Sequence, residues 1–513
     1  MTVSVSLPQG ADEPEGLVDA VLAYETALMS DDVEALDAAF APGASTLRGD
    51  ATGLLVGHEA IASFRRGRGG APQRQLLALH VRPVDADNAL VVAEVAAQRG
   101  GRGLQTQLWR RDAEVGWVVS AAHVSAPTPA VDARIWRTVG TPLVAPQGAG
   151  ALDGVGIAVK DMFEVTGFAV GVGNPRFLET STPATRTAPA LEALLNAGAH
   201  VTGIAQTDEF AYSIAGANAH YGTPPNAAVP GGLPGGSSSG PASAVASGQA
   251  DLGLGTDTAG SVRVPASYQG LWGLRPTHDV VSLDGVWPLA PTFDTVGWLT
   301  RDPATLHNAV EATLGATELR LAPEFVVAPS LRRDLDAEVL EAFDASVARF
   351  SPAEIEIPEP DELLTIFRTI QPAEAWKSDG EWVAANPGAL GPGVRERFEI
   401  AESMSAASEA AAREAMAVAR ERLDSILGDR ILLLPSASSA APTAAASPEE
   451  LETVRGATLR LCSVAGVAGR PALSVPVLSA TGPTGRPAPL GLCLVGPRGS
   501  DLALVELAAD LFG

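Results

Sequence analysis

Between Pro230 and Pro265 the chain reads PGGLPGGSSSGPASAVASGQADLGLGTDTAGSVRVP, two Gly/Ser/Thr-rich turns with an Ala-rich helix wedged between them. A flexible linker has no use for that helix. Such turns expose many backbone N–H groups without side-chain obstruction, which suits an anion or a developing oxyanion. No Lys follows in the G-x-x-x-x-G-K-[ST] arrangement, so a P-loop is unsupported. Gly236-Ser237-Ser238-Ser239-Gly240 also satisfies G-x-S-x-G with Ser238 as nucleophile. That elbow needs a strand before it and a His and an acid after it. Here Pro230-Gly231-Gly232-Leu233-Pro234 precedes it, and only His278 and His307 follow.

The surrounding chain predicts two parts. Apolar residues recur at helical spacing from Leu17 to Leu36, with Ser30-Asp31-Asp32 as the turn of a helical hairpin. Four antiparallel strands are expected over Gln75–Val84, Ala89–Gln98, Leu104–Arg111 and Gly116–Ser125. Residues 1–126 thus form a small α+β domain, and 127–150, with Pro127, Pro129, Pro142 and Pro146, read as a linker. From 151 to 513 strand and helix alternate: an apolar strand from Leu152 ends in Lys160, a helix covers Pro189–Ala197, and a strand covers Val201–Ala205. Helices near 336–350 and 399–426, with strands at Ile431–Leu434 and Ala472–Val477, complete a central sheet under a helical shell.

A net charge of -25 disfavours phosphate backbones and anionic membranes. No segment approaches a membrane span, and MTVSVSLPQGADEPEG has neither a basic n-region nor an apolar h-region, so a cytoplasmic protein is expected. Cys462 and Cys493 lack metal-ligand spacing, and no metal or cofactor is called for.

Gly235-Gly236-Ser237-Ser238-Ser239-Gly240, then Gly255-Thr256-Asp257-Thr258-Ala259-Gly260-Ser261-Val262-Arg263, with Gly154 to Asp161 upstream, resembles the amidase-signature family over about residues 130–513. The resemblance implies an α/β fold with a mixed central sheet covered by helices. It implies Ser261 as nucleophile, Ser237 as a bridging serine after a cis peptide, and Lys160 as base, with acyl-enzyme hydrolysis of a small-molecule amide. It places the backbone N–H groups of Thr258, Ala259, Gly260 and Ser261 in the oxyanion hole, and Ala211 and Ser237 against the substrate. Ser239 and Ala259, where many relatives carry Gly, resemble the urea-derivative branch, and Pro241 fits the first turn of the following helix.

The chemistry is consistent with these residue types. A serine hydroxyl needs a base to take its proton. Lysine serves only when neutral, and deprotonating it at pH 7 costs roughly 4.6 kcal/mol, which burial must offset. Asp257 and Arg263 flank the loop and are expected to pair. Trp287, Trp376 and Trp382 lie in segments similar to indoleacetamide-type amidases and are candidate walls of an aryl pocket.

The N-terminal part, with Gly57-His58-Glu59-Ala60-Ile61 and Arg65-Arg66-Gly67-Arg68, resembles AtzH-like domains, which implies a cone-shaped nuclear-transport-factor-like fold and a homodimer. Its arginines read as a solvated basic turn. Hydrolysis of a small carboxamide to carboxylate and ammonia is the expected reaction. Carboxylated urea derivatives are the rival substrates, and a silent amidase-fold scaffold or an ammonia-passing amidotransferase subunit are the other readings.

Overall fold

The computed structural model describes residues 3–50, 53–67, 74–97, 102–125 and 131–513. They form two compact units, Met1–Val131 and Asp132–Gly513.

In the first unit the helices Leu17–Ser30 and Val33–Ala38 make the expected hairpin, with Asp32 accepting the Ala35 N–H at 3.0 Å as a cap. The four expected strands are present as the antiparallel meander Arg74–Pro83, Asn88–Ala97, Arg102–Asp112 and Gly116–Ser125. Ser4–Ser6 joins one side of it in parallel, and the hairpin of Leu47–Asp50 and Gly53–Val56 joins the other. Leu17, Val21, Leu79, Val91, Trp109 and Val119 build its core. The expected basic turn is a helix, His58–Gly67. Arg65 is 7% exposed, donates to the Leu36 carbonyl and lies 4.1 Å from the centre of the Phe40 ring, so its charge is spent inside the unit. Arg68 lies outside the described residues.

The second unit is built on an eleven-stranded mixed sheet. Its order is Ala353–Glu354, Phe325–Val327, Ile431–Pro435, Pro487–Val495, Ala472–Thr481, Trp272–Arg275, Val296–Thr300, Leu252–Thr256, Gly156–Lys160, His200–Ala205 and Trp136–Val144. Gly156–Lys160, Leu252–Thr256 and Val296–Thr300 are buried at every position, which is why they read as short apolar runs rather than as alternating strands. Leu252–Thr256 pairs in parallel with Gly156–Lys160 in the register Leu252 to Ile157 and Leu254 to Val159. That register brings the carboxyl ends of the two strands, Lys160 and Thr256, side by side.

The linker expected over 127–150 is corrected by the strand Trp136–Val144, an edge strand antiparallel to His200–Ala205. Prolines are tolerated on an edge, where no ladder hydrogen bond is lost. Ile135 and Trp136 are buried against Ala158, Ala205 and Ala242, which anchors the segment. Helices Ala337–Val347 and Ala406–Leu427 help to cover the sheet with Pro360–Ala385, whose internal Pro372 and Gly380 hide its helical pattern, while the second half of Pro448–Ala468 is buried and gives its Cys462 carbonyl to Arg263.

Candidate active site

The site begins at the end of the strand Gly156–Lys160. Lys160 is fully buried, and its Nζ lies 2.8 Å from Ser237 Oγ and 2.7 Å from Thr256 Oγ1. Burial pulls its ammonium down to about 7, against the opposing pull of the carboxylates of Asp208, Asp294 and Asp257. Thr256 was not singled out in the sequence, although it stands inside the second Gly/Thr turn.

Ser237 follows a cis peptide from Gly236, and its carbonyl accepts from Thr207 Oγ1 at 2.9 Å. The turn then enters the helix Ser239–Ala246. Its glycines serve close packing: a Cβ on Gly240 would stand 2.7 Å from the Gln206 nitrogen and 2.8 Å from the Ile135 carbonyl oxygen. Gly240→Ala is therefore expected to destabilise the second unit by about 1–3 kcal/mol, read as a lower denaturation midpoint. Ser238 Oγ is held by the Thr256 backbone, at 3.2 Å from its carbonyl and 3.3 Å from its N–H, and no His is among its partners. The elbow reading has no base to work with.

Ser261 lies in the loop that joins the strand Leu252–Thr256 to the helix Arg263–Gln269. It is 2% exposed, and its carbonyl accepts the Ser238 N–H at 3.2 Å, which ties this loop to the Ser237 turn. The loop closes around Asp257, whose carboxylate accepts from the N–H groups of Gly260 at 2.9 Å and Val262 at 3.1 Å. Arg263 meets the same carboxylate at 2.9 Å, as expected, and Arg275 joins it at 3.2 Å. Burial works to raise the Asp257 carboxyl, but the two guanidinium groups hold it well below the usual range.

One expected oxyanion donor is thereby corrected. The Gly260 N–H is already committed to Asp257 Oδ1. Among the described residues, the N–H groups of Thr258, Ala259 and Ser261 donate to no protein acceptor. Thr258 Oγ1 donates to Asp294 Oδ1 at 2.6 Å, and Asp294 also accepts from Leu289 and Ala290 nitrogens, both at 2.9 Å.

A cavity of about 240 Å³ opens beside this loop, lined by Met162, Ala211, Thr256, Thr258, Trp287 and Asp294 among others. Ala211 has a positive φ of 53° and gives its N–H to the Asp208 carbonyl at 2.8 Å. Trp287 is part of the wall. Trp382 lines a second, outer cavity instead, and Trp376 packs on Gly380 of its own helix outside both linings.

The family profile described as Amidase matches residues 143–338, and the one described as AtzH-like matches 12–129. Amidase 1 of Oryza sativa subsp. japonica is 35% identical over 400 residues, covering 70% of this chain and 90% of that protein. The chain belongs to the amidase family. This amidase is thus an amide C–N hydrolase carrying an AtzH-like N-terminal domain. A solved structure described as the crystal structure of amidase superposes with a TM-score of 0.64 at 30% identity, over 71% of this chain and 85% of that one. A shorter match joins it to the 1-carboxybiuret hydrolase subunit AtzE of Pseudomonas sp. (strain ADP), 40% identical over 126 residues, 25% of this chain and 27% of that protein.

The cytoplasmic placement expected from the sequence is corrected by other relatives of the amidase. They include the translocon at the outer membrane of chloroplasts 64 of Pisum sativum, 37% identical over 171 residues, 33% of this chain and 29% of that protein. Amidase-like sequences of this kind therefore occur in organelle-envelope proteins, and the composition of the first residues does not decide the compartment. Among the described residues no helix is long and apolar enough to cross a membrane.

Proposed function

We propose that this amidase hydrolyses a small neutral carboxamide to carboxylate and ammonia, with Ser261 as nucleophile and a Ser237–Lys160 proton relay. The observation that carries the reading is the 2.8 Å contact between a fully buried Lys160 Nζ and Ser237 Oγ. In the neutral amine, one N–H donates to Thr256 Oγ1 and the lone pair is left for Ser237. Ser261 Oγ attacks the carbonyl carbon, its proton passes to Ser237 Oγ, and the Ser237 proton passes to Lys160 Nζ. The N–H groups of Thr258, Ala259 and Ser261 hold the oxyanion, each worth about 3–4 kcal/mol of barrier. Collapse breaks the C–N bond, and the relay returns the proton to the departing ammonia. Water then repeats the attack on the acyl-enzyme. The Ala211 carbonyl is available to accept from the carboxamide NH2.

Electrostatics favours the neutral amide over carboxylated ureas. Among the described residues no Arg, Lys or His lines the inner cavity, while Asp294 does. A carboxylate there would be desolvated without a counter-charge. The local likeness to the carboxybiuret hydrolase subunit and the AtzH-like domain favour the rival substrates, so the two classes are to be compared directly. Ammonia release from neutral aliphatic and aryl-acetamides should exceed that from biuret-like carboxylates by at least about 100-fold in kcat/KM; the reverse ranking overturns the assignment.

Only neutral Lys160 can accept a proton, so kcat/KM should rise with pH through a midpoint near 7. The same shift acts on stability. Above about 7 the folded lysine is neutral while the unfolded one keeps its proton up to the usual lysine range, so stability rises with pH across that window. Below it both states are charged and the full burial penalty applies. Denaturation midpoints of wild type and Lys160→Met between pH 6 and 10 should converge as pH rises.

A further inference from the structure

Two cavities meet at one side chain. The inner one, about 240 Å³, holds Thr256, Thr258 and Ala211 in its wall. The outer one, about 690 Å³, is lined by Phe177, Thr180, Ser378, Glu381 and Trp382. Trp287 belongs to both linings. Its backbone N–H donates to the Met162 carbonyl at 2.7 Å, two residues beyond Lys160, so the residue is fixed to the end of the site strand. Its indole is held from two sides. Nε1 donates to Asp379 Oδ1 at 2.9 Å, and the ring packs edge-on against Phe177 at 4.8 Å between centroids.

Asp379 makes little sense as a packing residue. It is 1% exposed in the helix Pro360–Ala385, and among the described residues its second oxygen, Oδ2, has no hydrogen-bond partner. A buried carboxylate with one partner is costly, and here that partner is the Trp287 indole. The inner cavity by itself is smaller than the usual range for a drug-sized ligand, whereas the two together fall within it.

We propose that Trp287, latched by Asp379, is the specificity-determining partition of this amidase: it ends the acyl pocket and restricts the enzyme to amides with a short acyl arm. This rests on the reading of the inner cavity as the amide site. The outer cavity is the room that longer arylalkyl or alkyl amides would occupy if the indole were absent or released. Asp379 is a positioning residue that acts through Trp287. Trp382, which lines only the outer cavity, has no part in holding short amides.

The test is a series of ω-phenylalkanamides of increasing chain length, with acetamide as reference, assayed by ammonia release. For wild type, kcat/KM should fall about tenfold or more at the length that first meets the indole. Trp287→Ala and Trp287→Leu should abolish that step, raising the long-to-short ratio by about the same factor. Asp379→Asn, whose amide oxygen still accepts from Nε1, should keep the wild-type profile, while Asp379→Leu should shift it toward that of Trp287→Ala. Calorimetric affinities for the same amides, measured in the Ser261→Ala background, should show the same change of ratio. Parallel length profiles in wild type and both Trp287 variants, with unchanged far-ultraviolet spectra, overturn the proposal. A shift in affinity without turnover in any otherwise wild-type protein would keep the partition and remove the hydrolytic reading; turnover with no shift would do the opposite.

Discussion

Ser261→Ala and Lys160→Met are each expected to lower kcat for a neutral carboxamide by about 10⁴- to 10⁶-fold, and the double variant should be scarcely worse than either one alone. The reason is mechanical unity. In the proposed relay the Ser261 oxygen is the acyl acceptor, and without a neutral amine at 2.8 Å from Ser237 Oγ the proton of that oxygen would have nowhere to go. Residual turnover in Lys160→Met should lose the pH limb near 7, because the titrating group is gone. KM should change far less than kcat, since Lys160 is fully buried and is not part of the inner cavity's lining. Steady-state kinetics across pH checks all three statements, and additive losses in the double variant would separate the two residues into independent roles.

Asp257→Ala should cost about 3–5 kcal/mol of stability, the largest structural effect expected in the molecule. Asp257 is fully buried and joins Arg263 at 2.9 Å to Arg275 at 3.2 Å. Among the described residues Arg275 Nε and Nη2 have no hydrogen-bond partner, and its ion pair with Asp257 is the direct offset to its buried charge. Removing the carboxylate leaves two guanidinium groups in a dry interior and releases the N–H groups of Gly260 and Val262. The loop from Asp257 to Val262, which carries the proposed oxyanion donors, would lose its shape along with its brace. Chemical denaturation followed by tryptophan fluorescence measures the loss; a change below about 1 kcal/mol would mean that solvent reaches the pair.

Part of the candidate site's geometry, the contact of Lys160 with Ser237 and the pairing of Asp257 with Arg263, was legible because it is compact in sequence. Lys160, Ser237 and Ser261 stand in three short motifs whose glycines and serines have few other uses, and the Asp257–Arg263 pair lies within one loop. What was not legible is what the fold brings from elsewhere. Thr256 gains its importance only from the parallel register that sets it beside Lys160. Gly260 looked like a donor to the oxyanion until the loop turned its N–H onto Asp257. Asp379 lies on a distant helix and acquires a role only by meeting Trp287.

The fold shows the same division. The meander of the first unit was readable because each strand is long and punctuated by turn residues. The strands Trp272–Arg275 and Val296–Thr300 were not, because a few buried apolar residues without alternation are indistinguishable from core helix. Prolines hid the edge strand Trp136–Val144, which local rules assign to a linker. Arg65, expected in solvent, is held inside by the Leu36 carbonyl and the Phe40 ring, partners that lie far away in the sequence.

The most direct measurement is covalent labelling with a fluorophosphonate followed by mass spectrometry of the modified peptide. Wild type should carry one adduct, on Ser261, forming faster as pH rises through about 7, and Lys160→Met should label at least about 100-fold more slowly. An adduct on Ser238, or a labelling rate indifferent to both pH and Lys160, would contradict the relay.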